Sequence, residues 1–447
     1  MGLSSDRTGA EVRTDRVVES GVNKVQVLTG AKSRARKTIC VIGLGYIGLA
    51  TSAVLASRGF TVLGCDLKRD VVDSVNKGES HIEDPGLNKL VAETVTAGRL
   101  VAFSAPQPAD TFIIAVPTPV RHENNNEPDL AYVFAAGDTI APVLQRGNLV
   151  VLESTSPVGT TRALAEHIGR LRPDLTIAGN GAEHPDLFFA YCPERIIPGA
   201  MLRELSSNDR IIGGIDAWSG HLALGVYGAL GSIKCHLTDD RTAEMVKLVE
   251  NAYRDVNIAF SNEISMLCRG NGLDAFDVIG LANHHPRVNI LRPGPGVGGH
   301  CIAVDPWFLV ASDRENSRLI ATARGVNDRK TEIVAKDIAE LAREIEGPIL
   351  LLGLTYKENV GDFRESPALK IAERLTERLG ARVLCADPFA DTNAGARECV
   401  RGLNIVDADL AFSGAAIVVM LVAHSEYSAF KAAGAQHIVD VVGALRR

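Results

Sequence analysis

Short apolar runs alternate along this chain with longer stretches in which apolar residues recur at helical spacing. The first run is Thr38–Ile42, and a helical pattern from Ile47 to Ser57 follows it. A second run, Thr61–Cys65, comes directly after that helical stretch. Apolar runs of strand length that alternate with helical patterns are typical of βαβ units and a parallel sheet. The pattern therefore predicts an α/β fold from Thr38 onward.

Further apolar runs predict that this first sheet continues and that a second sheet follows towards the C-terminus. The first sheet gains Thr111–Val116, Leu149–Glu153 and Phe189–Cys192, and the segment Asn208–Gly214 closes its domain. The second sheet contains Ile349–Leu352, Val383–Ala386, Ala416–Leu421 and Ile438–Val441. A helix over residues 330–345 is predicted between the two groups. Because the second group repeats the first in outline, we predict two α/β layers related by a weak internal repeat.

A long helix is predicted between the two sheets, because apolar residues recur at helical spacing from Asp240 to Leu267. Thr238 or Asp239 is expected to start this helix, and Gly270 to stop it. At ~1.5 Å per residue it would span some 40 Å, which is longer than one domain needs. We therefore predict that part of the helix packs against a second subunit in a homodimer.

Six residues between the first predicted strand and helix form a candidate nucleotide site. They read Gly43-Leu44-Gly45-Tyr46-Ile47-Gly48, which is the G-x-G-x-x-G pattern in the strand-turn-helix context that it requires. Gly43 is expected to allow the tight turn, Gly45 the approach of a pyrophosphate, and Gly48 the close packing of helix on strand. The phosphates would lie at the helix N-terminus, beside Tyr46 and Ile47. This unit predicts a Rossmann-like, dinucleotide-binding domain.

Three polar residues at strand ends extend the predicted nucleotide site. Asp66 follows the second strand, 18 residues after Gly48, where a carboxylate accepts hydrogen bonds from ribose hydroxyls. A carboxylate at this place repels a 2′-phosphate, so NAD is favoured over NADP. Thr118 and Thr155 follow two later strands and are expected to line the nicotinamide end of the crevice. Their alternative role is to cap the helices that come next.

Composition limits the classes of partner. With 54 acidic and 47 basic residues the net charge is -7, which argues against broad binding to nucleic acid or to an anionic membrane. No run approaches the ~18–20 consecutive apolar residues of a membrane span. The eight cysteines include no C-x-x-C pair, and the N-terminus lacks a secretory signal, so neither a disulfide framework nor a zinc cage is expected. We expect reduced thiols in a cytoplasmic protein.

A loop rich in glycine and proline, Arg292–Trp307, follows the long helix and is called here the Cys301 loop. It delivers Cys301, with Asp305 four residues later. Glycine permits positive φ and close backbone approach, and proline fixes φ, so the loop has a defined shape. Two interpretations stand: a connector that buries a small cysteine, or a site with a reactive thiol. His300 and the pair His284-His285 fit no standard ligand spacing, so no metal is expected.

Several motifs, taken in chain order, resemble those of the UDP-glucose/GDP-mannose dehydrogenase family. They are Gly43 to Gly48, Pro193-Glu194, Lys247 with Asn251, Gly298-Gly299-His300-Cys301 with Asp305, and Lys357 to Arg364, and the similarity covers nearly all of residues 38–447. Within the family, His285 to Leu291 and Pro293 to Phe308 are most similar to members that act on UDP-N-acetyl-D-mannosamine. UDP-glucose dehydrogenases usually carry a second glutamate four residues after the first. Glu194 is followed there by Pro198, which argues against UDP-glucose.

The resemblance implies two Rossmann-like domains, an N-terminal one that binds NAD and a C-terminal one that binds UDP, joined by the long central helix. It implies NAD-dependent four-electron oxidation of the C6 hydroxyl of a UDP-N-acetylhexosamine to the uronate, for bacterial surface polysaccharide synthesis. Cys301 would form a thiohemiacetal and then a thioester. Lys247 and Asn251, one turn apart on a helix face, would stabilise the oxyanions. Asp305 would hold the water that acts as base, and Asp305 or Glu194 the water that hydrolyses the thioester.

The resemblance also assigns residues to the bound nucleotides and the sugar. Lys357 is expected to contact UDP and Arg364 to reach the NAD pyrophosphate, and the alternative is that both lie in a solvated loop. Arg287 would be lent across a dimer interface to the neighbouring site. The expected sugar contacts are Glu194, Lys247, Asn251 and the backbone at Gly298.

We accordingly predict four segments. Residues 1–36 form a disordered N-terminal extension, 37–235 the NAD-binding domain, 236–325 the central helical dimerisation domain with the catalytic Cys301 loop, and 326–447 the UDP-sugar-binding domain. Three alternatives remain open. They are a UDP-GlcNAc or UDP-glucose 6-dehydrogenase, a two-electron β-hydroxyacid dehydrogenase in which Cys301 is structural, and a non-catalytic regulator that binds a nucleotide sugar.

Overall fold

The computed structural model describes residues 17–18, 25–28, 38–82, 84–121, 123, 125–197, 199–231, 233–430 and 437–445. The predicted disorder of residues 1–36 was wrong for Val17–Val18 and Val25–Leu28, which form paired strands. The rest of that extension lies outside the described ranges, and its disorder stays a prediction. Backbone contacts group the chain into two units, which are Met1–Thr118 with Asp129–Lys247, and Pro119–Pro128 with Leu248–Arg447.

Sixteen strands are present in the described part of the chain. They are β1 Val17–Val18, β2 Val25–Leu28, β3 Thr38–Ile42, β4 Thr61–Cys65, β5 Leu100–Phe103, β6 Thr111–Ile114, β7 Val120–Arg121, β8 Glu127–Pro128, β9 Asn148–Leu152, β10 Leu187–Tyr191, β11 Arg210–Gly214, β12 Cys235–Asp239, β13 Ile349–Leu352, β14 Val383–Ala386, β15 Ile417–Met420 and β16 His437–Asp440. Every strand that the apolar runs predicted is found, with ends that differ by at most two residues.

Fourteen α-helices are described over the same ranges. They are α1 Tyr46–Ser57, α2 Arg69–Asn76, α3 Leu87–Thr96, α4 Ala131–Ile140, α5 Thr160–Leu171, α6 Met201–Ser207, α7 Ala217–Tyr227, α8 Asp240–Gly270, α9 Ala275–Ala282, α10 Asp305–Ser312, α11 Arg318–Glu344, α12 Pro367–Leu379, α13 Ala394–Cys399 and α14 Ala408–Phe412. None of these helices is both long and apolar enough to cross a membrane.

The first unit is organised around a single ten-stranded sheet with the order β1-β2-β12-β11-β10-β9-β6-β3-β4-β5. The last six strands in this order, β10-β9-β6-β3-β4-β5, are all parallel to one another. Strand β11 pairs antiparallel to β10. Numbered by their position in the chain, these six strands have the order 3-2-1-4-5-6 of a dinucleotide-binding sheet. This arrangement confirms the predicted α/β class and the N-terminal Rossmann-like domain.

Helices on both faces explain why the parallel strands read as unbroken apolar runs. Ile39, Cys40 and Val41 of β3 are fully buried, as are Leu49 and Leu55 of α1. A parallel sheet covered on both faces has no solvent side, so its strands lack the alternation of half-exposed sheets. Burial of these runs against one another forms the main core of the first unit.

The second unit contains a four-stranded parallel sheet with the order β14-β13-β15-β16. Its apolar core includes residues from α11, α12 and the strands. The hairpin of β7 and β8 also belongs to this unit, and Val120 packs with Leu248, Phe308 and Leu309. The second parallel sheet confirms the predicted repeat of an α/β layer.

The predicted bounds agree with the structure for helix α8 but not for helix α11. Helix α8 covers the predicted range, and Asp239 accepts a hydrogen bond from the backbone N–H of Thr242 at 3.0 Å, as a starting residue does. The predicted start of α11 at Lys330 was wrong, because this helix begins at Arg318. Arg324 is buried in its first half and pairs with Asp255 at 2.7 Å, which stabilises helix where the sequence suggested a connector.

Candidate functional site

The glycine-rich turn between β3 and α1 uses each of its three glycines differently. Gly43 has φ +91°, and a Cβ there would lie 2.6 Å from the carbonyl oxygen of Ala115. A Cβ on Gly48 would lie 1.8 Å from the carbonyl oxygen of Gly43, so only glycine allows the helix to approach the strand this closely. Around Gly45, no atom of the described residues lies within 4 Å of such a Cβ. The space that the sequence reserves for a pyrophosphate is therefore open.

The start of α1 adds a second property suited to a diphosphate. Gly45 is its N-cap residue, and no side chain of the described residues caps the helix. Tyr46 and Ile47, in the first turn, are half-buried. The first N–H groups of a helix have no partner inside the helix, and the helix dipole favours an anion there. These residues fit the dinucleotide predicted from the sequence.

Asp66 links the turn to the end of β4. Its Oδ2 accepts from the N–H of Leu44 at 2.8 Å, and its Oδ1 accepts from the N–H of Lys68 at 2.9 Å. A carboxylate has about four lone-pair positions, so these two bonds leave capacity for ribose hydroxyls. The half-buried carboxylate of Asp66 is thus held in a fixed orientation at the strand end.

Thr118 and Thr155 follow the carboxyl ends of β6 and β9, and both are half-buried. The N-cap residues of the next helices are Leu130 and Gly159, so neither threonine is the cap that was considered as its alternative role. Ser154 donates to the carbonyl of Val116 at 2.7 Å, which joins the two loops. Both threonines therefore stay candidates for contact with the nicotinamide.

Glu194 follows β10 and is buried against Arg210. Its Oε2 accepts from Nη1 of Arg210 at 2.8 Å, and its Oε1 accepts from the N–H of Arg195 at 2.6 Å. Arg210 is 1% exposed and is the largest fully buried side chain among the described residues. Both oxygens of the predicted catalytic carboxylate are thus held by groups of its own unit.

Glu153 joins this buried cluster, although the sequence indicated it only as the end of a strand. Its oxygens face the hydroxyls of Thr51 at 3.3 Å and Tyr227 at 3.4 Å. Burial first, and the charge of Glu194 second, raise the pKa of Glu153 to about 8, against the opposing effect of Arg210. This shift favours the protonated form of Glu153 at neutral pH, and Arg210 pairs with Glu194. The sequence feature that could have identified Glu153 is a single acidic residue at the end of an apolar strand.

Glu244, three residues before Lys247 on α8, is a further residue that sequence analysis missed. Its oxygens accept from the N–H groups of Gly159 at 2.5 Å and Thr161 at 2.8 Å, and from the Thr161 hydroxyl at 2.7 Å. These bonds satisfy orphan donors at the start of α5, and burial raises the pKa of Glu244 to about 7. The carboxylate fixes the first turns of α8, where Lys247 is 8% exposed.

In the second unit the structure brings together Cys301, Asp305 and Asn251. The carbonyl of Cys301 accepts from the N–H of Asp305 at 2.8 Å, in the turn that leads into α10. Nδ2 of Asn251 donates to Oδ2 of Asp305 at 2.5 Å. Cys301 is half-buried, and Asp305 is 3% exposed. Asn251 lies one helical turn after Lys247 on α8, as the sequence spacing predicted.

A buried polar network holds the base of the Cys301 loop. The N–H of Gly294 donates to Oδ1 of Asn262 at 2.9 Å, and Nδ2 of Asn262 donates to Asn327 at 2.9 Å. Asn327 donates to Asp255 at 2.8 Å, and Arg324 donates to the same carboxylate oxygen at 2.7 Å. No sequence motif indicated these residues, because they are polar positions on the buried faces of α8 and α11.

The two glycines before His300 lie against a C-terminal loop, Gly353–Ser366, called here the Lys357 loop. A Cβ on Gly298 would lie 2.6 Å from the carbonyl oxygen of Glu365 and 2.8 Å from Cβ of Tyr356. A Cβ on Gly299 would lie 3.0 Å from the Tyr356 ring. The N–H of Gly299 donates to the carbonyl of Arg364 at 3.1 Å. These glycines are therefore required for packing between two loops of the same unit.

The Lys357 loop repeats the hydrogen bonding of the first nucleotide turn. Gly353 has φ +86°, and Oδ2 of Asp387 accepts from the N–H of Leu354 at 2.6 Å. Oδ1 of Asp387 accepts from the N–H of Phe389 at 2.8 Å. Asp387 therefore accepts hydrogen bonds from the N–H groups of Leu354 and Phe389 in the same way as Asp66 accepts them from Leu44 and Lys68. The predicted repeat extends from the strand order to individual hydrogen bonds.

The remaining predicted residues of the second unit occupy more open positions. Lys357 is half-buried, whereas Arg364 and Arg287 are exposed. Nη2 of Arg364 donates to Oδ2 of Asp362 at 2.6 Å, which orients the guanidinium. Across the described ranges, no three His, Cys, Asp or Glu side chains are grouped to hold a metal ion.

Three family models match this chain in succession. Residues 37–230 match the NAD binding domain of the UDP-glucose/GDP-mannose dehydrogenase family, 241–329 its central domain, and 350–447 its UDP binding domain. These matches confirm NAD as the cofactor and the C-terminal domain as the one that binds UDP. They also confirm the resemblance drawn from the sequence motifs.

Known relatives agree with the family models. An NDP-N-acetyl-D-galactosaminuronic acid dehydrogenase from Ralstonia nicotianae is 49% identical over 392 residues, covering 88% of this chain and 92% of the relative. A UDP-N-acetyl-D-mannosamine dehydrogenase from Campylobacter jejuni is 46% identical over 390 residues, covering 87% and 96%. The solved structure of a UDP-D-ManNAc dehydrogenase from Pyrococcus horikoshii has a TM-score of 0.80 at 34% identity, covering 91% and 96%. This chain therefore belongs to the UDP-glucose/GDP-mannose dehydrogenase family and is an NAD-dependent dehydrogenase.

Proposed function

We propose that this enzyme oxidises the C6 hydroxyl of a UDP-N-acetylhexosamine, in the first place UDP-N-acetyl-D-mannosamine, to the uronate for surface polysaccharide synthesis. The observation that carries this proposal is the placement of Cys301 in the turn before Asp305, whose carboxylate accepts from Asn251 at 2.5 Å. An ordinary two-electron dehydrogenase needs no cysteine in the turn that precedes an acid-amide pair. Oxidation of an alcohol to an acid through an aldehyde does need a nucleophile that holds the aldehyde.

The chemistry divides into two oxidations and a hydrolysis. NAD, when bound, supplies the acceptor for a hydride in each of the two oxidations. A water held by Asp305 removes the proton of the C6 hydroxyl as the aldehyde forms. Cys301, as thiolate, then adds to the aldehyde carbon to give a thiohemiacetal, whose oxidation yields a thioester. Water attacks the thioester carbonyl and releases the carboxylate and the thiol.

The other predicted catalytic residues act on charge and position. Lys247 and Asn251 stabilise the oxyanions of the thiohemiacetal and of the tetrahedral intermediate of hydrolysis. Asn251 also orients Asp305 through their hydrogen bond. Glu194 accepts from Arg210 and from the N–H of Arg195, and its remaining lone pairs orient the sugar and the hydrolytic water.

The proposed ligand contacts follow the two nucleotide turns. For NAD they are Gly43, Gly45, Tyr46, Ile47, Gly48, Asp66, Thr118, Thr155 and Arg364. For the UDP-sugar they are Glu194, Lys247, Asn251, Gly298, Lys357 and, from a second copy of the chain, Arg287. The open space at Gly45 and the uncapped start of α1 support the diphosphate contact.

A second candidate substrate has the galactosamine configuration. The relative with 49% identity is named for N-acetyl-D-galactosaminuronic acid, whereas those at 45–46% identity are named for N-acetyl-D-mannosamine. Measurement of NADH formed per molecule of UDP-ManNAc, UDP-GalNAc, UDP-GlcNAc and UDP-glucose separates these substrates. Two NADH per sugar support the four-electron reaction, whereas one NADH per sugar contradicts it.

The Cys301→Ser variant tests the covalent mechanism. Because a serine hydroxyl is a much weaker nucleophile than a thiolate at neutral pH, we expect the reaction to stop at the aldehyde or at a slowly hydrolysed ester. Product analysis by mass spectrometry and the NADH yield measure this outcome. Uronate formation with two NADH at the rate of the unchanged enzyme would rule out the covalent route.

We also propose that the enzyme is a homodimer formed along α8. Tyr253 is 68% exposed, Phe260 50% and Leu267 58%, and they recur every seven residues on this helix. A row of exposed apolar side chains at heptad spacing is suited to packing against the same row of a second copy. Sedimentation velocity of the Tyr253→Lys variant tests the proposal: a monomer is expected, and an unchanged dimer contradicts this interface.

A further inference from the structure

The C-terminal sheet places two loops beside each other at its switch point. The strand order is β14-β13-β15-β16, so after β13 the chain forms β14 on one side of β13 and then β15 on its other side. Ligands of open parallel sheets bind outside the carboxyl ends of the strands at such a point. The Lys357 loop follows β13, and a second loop after β15 contains His424. No sequence motif singled out His424.

His424 connects these two loops through hydrogen bonds. Its Nδ1 accepts from the N–H of Asn359 at 3.0 Å, so the ring proton resides on Nε2. Nε2 faces Oγ1 of Thr355 at 3.1 Å and Oδ2 of Asp387 at 3.2 Å. Oγ1 of Thr355 donates in turn to the backbone carbonyl of Lys357 at 3.0 Å. His424 therefore fixes the loop backbone directly at Asn359 and, through Thr355, at Lys357.

The surroundings of this ring leave it no alternative position. The side chains of His424 and Asp387 are both fully buried. The ring of His424 lies between Phe389 at 5.4 Å and Tyr427 at 5.7 Å, measured between ring centres. Inside the protein a buried polar group without its partner is costly, so the Asp387–His424–Thr355 chain is held as a unit. Lys357, in contrast, is half-buried, and its long side chain can reach solvent or ligand.

We infer that His424 is a positioning residue for nucleotide binding, which acts through Thr355 to hold Lys357 where the phosphates of UDP bind. This inference rests on the proposed function, in which Lys357 contacts UDP. A lysine side chain has a flexible four-carbon stem, so an ordered backbone at its base limits the positions that its ammonium can reach. The hydrogen bonds of the buried His424, in the loop after β15, thereby increase the affinity of the Lys357 loop for the nucleotide.

Titration of UDP into the full chain by isothermal calorimetry tests this inference. Thr355→Val removes the hydroxyl that bonds to Lys357 while keeping the side-chain shape, and Thr355→Ser retains that hydroxyl as a matched control. We expect the Kd for UDP to rise about tenfold in Thr355→Val and His424→Leu, which corresponds to the loss of about one hydrogen bond, and to change less than about twofold in Thr355→Ser. Thermal unfolding of each variant, followed by circular dichroism, shows whether the unit that contains Thr355 and His424 is folded.

A double-mutant cycle separates positioning from general stabilisation. In a Lys357→Ala background, Thr355→Val should cause no further loss of UDP affinity, because the group that it positions is absent. An equal loss in both backgrounds would show a structural role alone and overturn the inference, as would UDP binding by Thr355→Val with the affinity of the unchanged chain. Failure of the unchanged chain to bind UDP at all would instead overturn the proposed function, and this inference with it.

Discussion

Replacing Gly298 with alanine tests whether the Cys301 loop must lie directly against the Lys357 loop. The added Cβ would lie 2.6 Å from the carbonyl oxygen of Glu365 and 2.8 Å from both Cδ of Pro367 and Cβ of Tyr356. Nonbonded carbon contacts are optimal at about 3.5–4.0 Å, so the two loops must separate by roughly 1 Å. All three neighbours are backbone or rigid atoms, and none can move aside by a rotamer change.

Two consequences follow from this separation. Overpacking of a tight contact costs roughly 1–3 kcal/mol of stability. Cys301 lies three residues after Gly298, and a displacement of about 1 Å in a reacting group lowers the rate on the order of 100-fold. We therefore expect kcat of Gly298→Ala to fall about 100-fold, while the glycine turn Gly43 to Gly48, which belongs to the other unit, keeps its structure.

Gly294→Ala, in the same loop, is the matched control. No atom of the described residues lies within 4 Å of a Cβ at this position, and its φ is not in the positive range. Initial rates of NADH formation measure kcat, and alkylation of Cys301 by iodoacetamide reports its exposure independently of substrate. The alkylation is measured in a Cys399→Ser background, because Cys399 is exposed and the six other cysteines are buried. A kcat for Gly298→Ala within twofold of that for Gly294→Ala would refute the packing argument.

Three further predictions follow from the described contacts. Gly45→Ala should lower NAD affinity at least tenfold, because the added Cβ occupies the approach of the pyrophosphate. The melting temperature should not change, because this Cβ meets no atom of the described residues within 4 Å. Unchanged NAD affinity in a fluorescence titration would contradict this prediction. Asn262→Leu should lower stability by roughly 2–4 kcal/mol in denaturant unfolding and speed alkylation of Cys301, because it leaves Gly294 and Asn327 without their partner. The control is Asn257→Ala, at a half-buried position of the same helix, whose side chain donates to the carbonyl of Tyr253. Burial raises the pKa of Glu153 from 4.5 to about 8 in the folded state, so its contribution to stability is complete below pH 4.5 and is lost as pH rises towards 8. Glu153→Gln should remove that part of the pH dependence, and an unchanged pH profile of unfolding would contradict the assignment.

The sequence by itself determined the parts of this protein that depend on neighbouring residues. The strand Thr38–Ile42, the turn at Gly43 and the close packing at Gly48 follow from a few adjacent positions, and the structure has each of them as predicted. The spacing of Lys247 and Asn251 sets them one turn apart on any helix, and α8 provides that helix. Asp66 was identified from its place at a strand end. Periodicity and backbone constraints act over short distances, so they are readable without the fold.

Only the tertiary structure decided which distant polar groups meet. Arg210 pairs with Glu194 across 16 residues, Glu244 reaches Thr161 across 83, and Arg324 reaches Asp255 across 69. Any of these charged residues could have been solvated as far as the sequence shows. Burial excludes water, and each buried charge must then be paired by whichever partner the fold brings near.

The glycines of the Cys301 loop show the same division within one motif. The sequence indicated a shaped loop that carries Cys301, because glycine and proline restrict the backbone locally. It did not indicate what Gly298 and Gly299 lie against, and the structure places Tyr356 and Glu365 there. Steric exclusion of a side chain depends on atoms more than fifty residues away in the chain, and those atoms reach the loop only when the second unit has folded.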